Sequence, residues 1–589
     1  MKKKLLFLSL AAITSLSFVS CGITNTNSST DKNTDTKLDS RLTKNTNTLY
    51  VETNTGVETE VSSYYYIQGE GDIPFVNLND SLSIMQRSHN DTNIKIQGEV
   101  ITIGRDNLDS TITFNFQKKT VYYNNLDLFT SRNGKESGLN LVSDLGTLEN
   151  GTSKYLQSQT SAGLDFYIPS NPITLDLSEH NIPMYFINGG GYIPVQTMSD
   201  LVFSFNNIYL LFNGADFFMS GASLGDELIA KYFEGKKGVR SEKMARFSRN
   251  ELAFILDLIY GLKGNHGITN FNDYFEQTGL DEGLLSTDPL TANTALAKLI
   301  YSNFCDYHSS LIFPSYLVGK DARETIVSTK GVYSPNYSQY QLIRYAYSSA
   351  RKAIYNAITA HDEVVKDKPD CYEEYGDTAF VTFDRFSAPT SDYYTTPATK
   401  DATDTFGVCE YAHSQIFREN SPIKNVVLDL SCNSGGAIDA GMYVAGWFLP
   451  YGILNIRNTL TGAVGSFTYR SDVNLDGIYD KTDNLSSKHL YCITSPASYS
   501  CSNFVANIFK ESDQVRLLGR RTSGGSCVVQ YLTMADGTFF QTSGNKELVR
   551  QHNGSFYTID QGVDVDVNID SYSDFFYRPA LTKMIDSLY

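Results

Sequence analysis

A single tryptophan, a shortage of basic side chains and no long apolar run mark this chain by what it has little of. With 48 Lys and Arg against 65 Asp and Glu, the formal net charge is −17. That balance argues against a nucleic-acid surface and predicts an anionic body that stays dispersed in water. Beyond Cys21 there are seven cysteines, at 305, 371, 409, 432, 492, 501 and 527. They stand far apart and no pair has the C-x-x-C spacing of zinc or redox sites; no disulfide is predicted. The longest apolar run, Leu5 to Val19, falls short of the roughly 18 to 20 residues that span a bilayer as a helix. What is present is enough for several cores. Hydrophobic residues make up 41% of 589, with 39 Tyr and 34 Phe, a length that predicts more than one domain.

The start of the chain reads as an address. Lys2-Lys3-Lys4 precede the apolar run, and Ser20-Cys21-Gly22 follow it, the layout of a secretory signal. "FVSC" resembles the bacterial lipobox, with Phe18 where Leu is usual, which implies that Cys21 becomes a lipidated N-terminus. The alternative is an ordinary signal peptide with an incidental cysteine. Residues 22–47 are mostly Asn, Thr, Ser, Asp and Lys and read as a disordered tether. The expected place is the bacterial cell envelope, outside the cytoplasm, lipid-anchored to a membrane.

Three further regions follow. From 48 to 222 short alternating runs such as "EVSSYYYI", "IKIQGEVITI" and "STITFNF" predict a β-rich N-terminal domain. Within it "DIPFVNLNDSLSIM" and "GYIPVQTMSDLVF" share one spacing and read as a duplication. From 223 to 374 the period becomes helical: "NELAFILDLIYGLKG" with Asn250 as cap, and "DPLTANTALAKLIYSNF" with Asp288 as cap and Pro289 in the first turn. From 375 to 589 strands alternate with helices. "NVVLDL" carries a continuous apolar run, Val426 to Leu428, of the kind found in strands buried on both faces. Such α/β cores carry their chemistry on loops at the carboxyl ends of the strands, and "SCNSGG" and "SPASYSCSNF" are two such loops.

Acyl transfer needs a nucleophile, a base, a group that orients the base and N–H donors for the oxyanion. Ser500 precedes a predicted helix, the N–H of Cys501 points into the same space, Gly435-Gly436 offer unobstructed N–H groups, and His308 in "DYHSS" is a candidate base. Each alone reads more simply: a loop serine, a turn, a structural histidine. Ser502 reads as a helix cap. As an ordered set, Asp306-Tyr307-His308, Asn433-Ser434-Gly435-Gly436, Ser500-Cys501 and Gly519-Arg520-Arg521-Thr522 resemble the C-terminal-processing (tail-specific) protease family, in its branch with the tricorn core and the protease-like activity factor. The resemblance covers residues 290–589. It implies a ClpP/crotonase-like αβ core with Ser500 as nucleophile, His308 as general base, and Gly435 or Gly436 with Cys501 as oxyanion donors. Where the family's other branch has a lysine base this chain has Gly525. Where this branch has a Glu to orient the histidine it has Ile559, with Asp560 one residue on; Asp560 is the candidate. The PDZ module usual between His and core is missing or divergent here.

A second motif stands apart. In "DVNLDGIYDKTD", Asp472, Asn474, Asp476, Ile478, Asp480 and Asp483 hold positions 1, 3, 5, 7, 9 and 12 of a calcium loop, with Gly477 at 6. The flanks lack the two-helix frame, so a solvated acidic hairpin tip is the alternative.

The expectation is therefore a multidomain α/β lipoprotein with serine endopeptidase activity on a protein or peptide substrate. It needs no cofactor for catalysis, and a structural Ca²⁺ is allowed for. Two rivals are a peptidase-fold lipoprotein that has lost the reaction and acts as a surface binding protein, and a solute- or glycan-binding lipoprotein.

Overall fold

The structure, a computed structural model, describes residues 39–588 apart from position 54 and the stretches 132–136, 144, 147–152 and 160–164. Cys21, the predicted signal and most of the predicted tether lie outside the described residues. The tether reading over 22–47 ends too late: a strand, Leu42–Thr53, has already begun. It pairs residue for residue with Gly56–Ile67, from Leu42↔Ile67 to Thr53↔Gly56. The polar Thr43, Lys44 and Thr46 are its exposed positions and Leu42, Asn47, Leu49 and Val51 its buried ones. A half-exposed strand written in Thr, Asn and Lys has the composition of a tether.

The chain divides into two compact units, and the division differs from the linear segments 48–222, 223–374 and 375–589. The first comprises 1–132, 171–334 and 529–544; the second comprises 133–170, 335–528 and 545–589.

In the first unit one sheet of seven strands contains the Leu42–Ile67 hairpin, and a second is a five-stranded antiparallel sheet over residues 92–123 and 173–176. The two segments read as a duplication place their strands differently: Phe75–Asn77 follows Pro74, whereas Gly190–Pro194 ends at Pro194 and a helical turn, Val195–Met198, follows. The two strands pair antiparallel with Ile193 opposite Val76. The long helix of this unit is Glu242–Ile259, capped by Ser241, whose side chain accepts the N–H of Met244. Asn250, the expected cap, lies inside it, because the apolar positions Met244, Ala245 and Phe247 extend the buried face one turn and more before the quoted run. The next helix, Pro289–Lys298, has Asp288 as its cap as expected, with the Thr291 N–H on its carboxylate. It continues into a π-helical turn, Leu299–Phe304, and ends at the His308 loop.

The second unit is a mixed α/β domain around a six-stranded sheet. The strands run in the order Tyr372–Tyr375, Thr378–Thr382, Asn425–Asp429, His489–Thr494, Val515–Gly519, Val567–Asn568. All neighbours are parallel except the first pair. The alternation of side chains explains why Val426, Val427 and Leu428 follow one another without a polar break. Val426, Leu428, Leu490 and Cys492 face the helices Thr405–Ile416, Ile438–Phe448 and Cys501–Ser512. Val427, Tyr491, Ile493 and Leu518 face Tyr347 and Tyr355 of the helix Pro335–Ile358 and Phe575 and Leu581 near the C-terminus. Helices therefore cover both faces, and the loops after Asp429 and Thr494 leave adjacent parallel strands on the same side.

Candidate active site

The four serines of "SPASYSCSNF" separate by what their hydroxyls do. Ser495 Oγ donates to the Ser431 carbonyl at 2.6 Å and Ser498 Oγ to the Leu430 carbonyl at 2.7 Å. Ser502, expected as a cap, instead bonds the Asn433 carbonyl at 2.9 Å and its Oδ1 at 2.7 Å. These three are fully buried and bolt the loop after His489–Thr494 to the loop after Asn425–Asp429. Ser500 alone is only half-buried. It occupies the N-cap position of the helix Cys501–Ser512, yet its side chain makes no capping bond.

Ser500 is also held in a conformation L-residues avoid, φ 58° and ψ −122°. Such backbone costs about 1–3 kcal/mol and persists only where the surroundings enforce it. Three contacts enforce it here. The Ser500 N–H donates to the Gly524 carbonyl at 2.9 Å, and the Phe504 N–H returns to the Ser500 carbonyl at 2.9 Å. Gly435 lies directly beneath: a Cβ there would stand 2.7 Å from Ser500 Cβ and 3.0 Å from Cys501 N. The result is a sharp strand-to-helix turn that lifts one hydroxyl out of the packed loop, as nucleophile turns do.

The glycine loop uses some of its N–H groups and leaves others without an acceptor among the described residues. The Gly435 N–H already donates to Asn433 Oδ1 at 2.8 Å. The Gly435 carbonyl takes the Phe386 N–H, and the Ala437 N–H takes the Phe386 carbonyl, both at 2.9 Å. In this parallel bridge between Phe386 and Gly436, the N–H of Gly436 is turned away from Phe386. Among the described residues neither Gly436 nor Cys501 gives its N–H to an acceptor. The Cys501 thiol is buried and bonds the Ala437 carbonyl at 3.4 Å, and burial pushes its pKa far up. A thiol so placed is a packing group, not a nucleophile.

Tyr499 closes the other side. Its ring meets Tyr340 edge-on at 6.0 Å between centroids, and a Cβ on Gly525 would come within 2.5 Å of it. The aromatic ring therefore fills the place from which a lysine at 525 would have to reach.

Asp560 sits on a loop fastened to the helix Cys501–Ser512. Asn503 Nδ2 donates to the Ile559 carbonyl at 2.9 Å, and Thr522 Oγ1 joins Asn503 Oδ1 at 2.7 Å to the Val563 N–H at 2.8 Å. The Asp560 carboxylate accepts from Ser526 N at 3.2 Å and lies 3.3 Å from Ser526 Oγ. Ser526 Oγ in turn lies 3.2 Å from Glu547 Oε1, whose other oxygen pairs with Arg457 at 2.7 Å. Sequence reasoning missed Glu547, because a lone Glu in a long strand carries no motif. It also missed Asn433 as the acceptor that fixes Gly435, although the Asn-x-Gly-Gly spacing contained it.

His308 belongs to the first unit and Ser500 to the second. Its backbone is set by Asp306, an almost fully buried carboxylate. Asp306 Oδ1 accepts the N–H groups of His308 at 3.0 Å and Ser309 at 2.8 Å, while Oδ2 accepts Tyr260 OH at 3.0 Å and Ser309 Oγ at 2.8 Å. Gln541 Nε2 donates to the His308 carbonyl at 2.7 Å. The His308 side chain is buried. Among the other histidines, His413 accepts Trp447 Nε1–H at 3.1 Å, and burial lowers its pKa to about 4; it is a neutral packing group.

In the acidic loop the carboxylates serve mostly the loop's own backbone, and Asp472 Oδ2 also accepts the Tyr394 hydroxyl at 2.6 Å. Asp472 Oδ2 accepts the Gly477 N–H at 2.8 Å, and Asp483 accepts those of Val473, Asn474 and Asp480. Asp480 bonds Thr482, and Asp476 Oδ1 accepts the Ile478 N–H. Asp472 Oδ1 is buried with no partner among the described residues. Among those residues no three His, Cys, Asp or Glu side chains gather as a metal site.

A strained serine at a helix N-terminus above a glycine turn, on an α/β sheet, is the layout of a serine hydrolase. Residues 404–569 match the family model of peptidase family S41, so the C-terminal part of the chain carries an S41 protease domain; Ser500, Gly435, Gly436 and Asp560 lie inside the match and His308 outside it. No curated protein matches. Among solved structures, mature CPAF is 12% identical, with 59% of this chain on 96% of that one at a TM-score of 0.36. A lipoprotein from Streptococcus agalactiae is 13% identical, 59% on 97%, TM-score 0.34. A photosystem II D1 C-terminal processing protease is 19% identical with a TM-score of 0.25; the match takes in 33% of this chain and 42% of that one.

Proposed function

We propose that this protein is a membrane-tethered, extracytoplasmic serine endopeptidase. The observation that carries the reading is Ser500: the one hydroxyl of its loop not buried in packing, on a strained turn over Gly435. Ser500 Oγ attacks the peptide carbonyl and His308 takes its proton, then returns it to the leaving amine. The N–H groups of Gly436 and Cys501 hold the oxyanion; Gly435, its own N–H bound to Asn433, shapes the turn instead. Donors of this kind contribute on the order of 10²–10³-fold in rate. Asp560 orients His308, and Ser526 holds the carboxylate of Asp560 in place. The tether is the lipid on Cys21, and substrates are proteins or peptides outside the cytoplasm.

The test is a fluorophosphonate probe on the chain without residues 1–21, beside Ser500→Ala. Labelling of the wild type that vanishes in the variant is the expected result. A wild type that takes no label would instead identify a binding protein on a peptidase fold.

We further propose a structural Ca²⁺ in the loop Asp472–Asp483, held by Asp472, Asn474, Asp476, Asp480, Asp483 and the Ile478 carbonyl. The buried, unpartnered Asp472 Oδ1 is what supports it.

A further inference from the structure

The S41 chemistry leaves unexplained an arginine that is almost wholly buried. Arg578 opens the helix Arg578–Asp586 and is 1% exposed. A cation in the first turn opposes the helix dipole, and removing a guanidinium from water costs several kcal/mol. Helix stability therefore does not account for it. All three of its nitrogens are used: Nη1 donates to Asp429 Oδ2 at 2.8 Å, Nη2 to Thr382 Oγ1 at 2.9 Å and Nε to Glu373 Oε2 at 3.1 Å. Its guanidinium also lies over the Phe380 ring at 4.7 Å.

Asp429 connects this cation to the chemistry. It is the last residue of the strand before the glycine loop and is 2% exposed. Its Oδ1 accepts the Ser431 N–H at 3.0 Å and Ser431 Oγ–H at 2.6 Å. The Ser431 carbonyl holds Ser495, and the Leu430 carbonyl holds Ser498 and the Asn433 N–H. Asn433 then fixes the Gly435 N–H and Ser502. One continuous set of bonds thus runs from Arg578 through Asp429 to both loops that flank Ser500.

We propose that Arg578 is a positioning residue for the reaction: its fork fixes the Asp429 carboxylate, which sets the turn presenting the Gly436 N–H to the acyl oxygen. The inference rests on the peptidase reading. Lysine keeps the charge but not the fork, so Arg578→Lys leaves Asp429 paired yet able to swing. Misplacement of reacting groups by about 1 Å costs on the order of 10²-fold. The Gly436 donor interacts with the oxyanion and not with the bound ground state, so the loss falls on the chemical step.

The test measures fluorophosphonate labelling of the whole chain without residues 1–21, resolved into the maximal rate and the half-saturating probe concentration. Arg578→Lys is expected to lower the maximal rate by about tenfold or more and leave the half-saturating concentration within about twofold. Backbone hydrogen exchange, read in parallel, is expected to quicken over 430–437 and 494–501 while the strands Asn425–Asp429 and His489–Thr494 keep wild-type protection. Labelling at the wild-type rate, or exchange that quickens uniformly across the sheet, overturns the proposal. Should Arg578→Lys fail to fold, the charge-neutral pair Arg578→Met with Asp429→Asn carries the same expectations. A wild type that takes no label overturns the peptidase reading and the catalytic half of this one, while exchange still decides whether Arg578 holds the two loops.

Discussion

At the scale of single residues, the site depends on glycines as much as on Ser500. Gly435 has φ 103°, and a Cβ there would meet Ser500 Cβ at 2.7 Å and the Tyr499 carbonyl at 2.8 Å, a clash with packed backbone that cannot move aside. Gly435→Ala is therefore expected to destabilise the protein by about 1–3 kcal/mol and to lose phosphonate labelling even where it folds, checked by thermal melting beside the probe assay. A folded, fully labelled Gly435→Ala would mean that the turn tolerates displacement and that Ser500 is not held by it. The sequence made the set of residues legible, because four short motifs arrive in one order. It could not sort roles within the set. Gly435 and Gly436 look equivalent as letters, and only the Asn433 side chain, taking one N–H and not the other, distinguishes them. Likewise Ser502 reads as a cap by position, and loses that role because Asn433 offers its hydroxyl a buried acceptor.

At the scale of elements, the parallel strands were the most legible, since a strand covered by helices on both faces must be apolar throughout. The sequence pattern starts the helix Glu242–Ile259 nine residues late, its cap at Asn250 and not Ser241, because the stretch before it includes Ser248 and Arg249, polar letters that, like Glu251 after them, are buried in fact. Glu251 has a physical consequence. It packs with Asp200, itself bonded by Gln196 Nε2 at 2.9 Å. Burial, and then the charge of Glu251, push the Asp200 carboxyl well up; burial pushes Glu251 to about 8. The folded chain thus keeps a proton that the unfolded chain releases near the usual carboxyl pKa of 4.5. Between those values the unfolded state binds fewer protons, so stability falls as pH rises from 4.5 towards 8. Glu251→Gln, neutral at every pH, is expected to flatten that decline in the melting temperature; an unchanged slope would place the titration elsewhere. The acidic loop Asp472–Asp483 makes a second demand at this scale. Calcium at about a hundred times its dissociation constant adds about 2.7 kcal/mol to a folded state that alone binds it. Melting is expected to rise in Ca²⁺ over chelator, and equal melting in the two removes the ion from the account.

At the scale of the whole molecule, the linear reading was least able to see how the chain is shared out. Composition changes at residue 223 and again near 375, and those changes mark a shift in secondary structure, not a boundary of folding. The S41 unit takes in segments from well before its matched residues. The short strands Leu156–Ser158 and Phe166–Ile168 pair with Val464–Ser471, and Tyr155 packs into the core that contains Phe406 and Tyr443. The helix Pro335–Ile358 lays Tyr347 and Tyr355 over Val427, Tyr491 and Ile493. A fragment of residues 375–589 contains every S41 motif from Asn433 onward, and by the linear reading it is a domain. It would nevertheless present one face of its central sheet without that helix and leave Val464–Ser471 paired only with Gly452–Asn458, its other edge bare, an exposed apolar face and an open strand edge together. The loss of two buried tyrosines and their contacts amounts to several kcal/mol, comparable with a domain's whole stability of about 5–15 kcal/mol. The fragment is therefore expected to be aggregated or without a cooperative melt in circular dichroism, while the chain from residue 39 melts cooperatively. A fragment that melts cooperatively near the temperature of the full chain would show that the early segments decorate the S41 core and do not complete it.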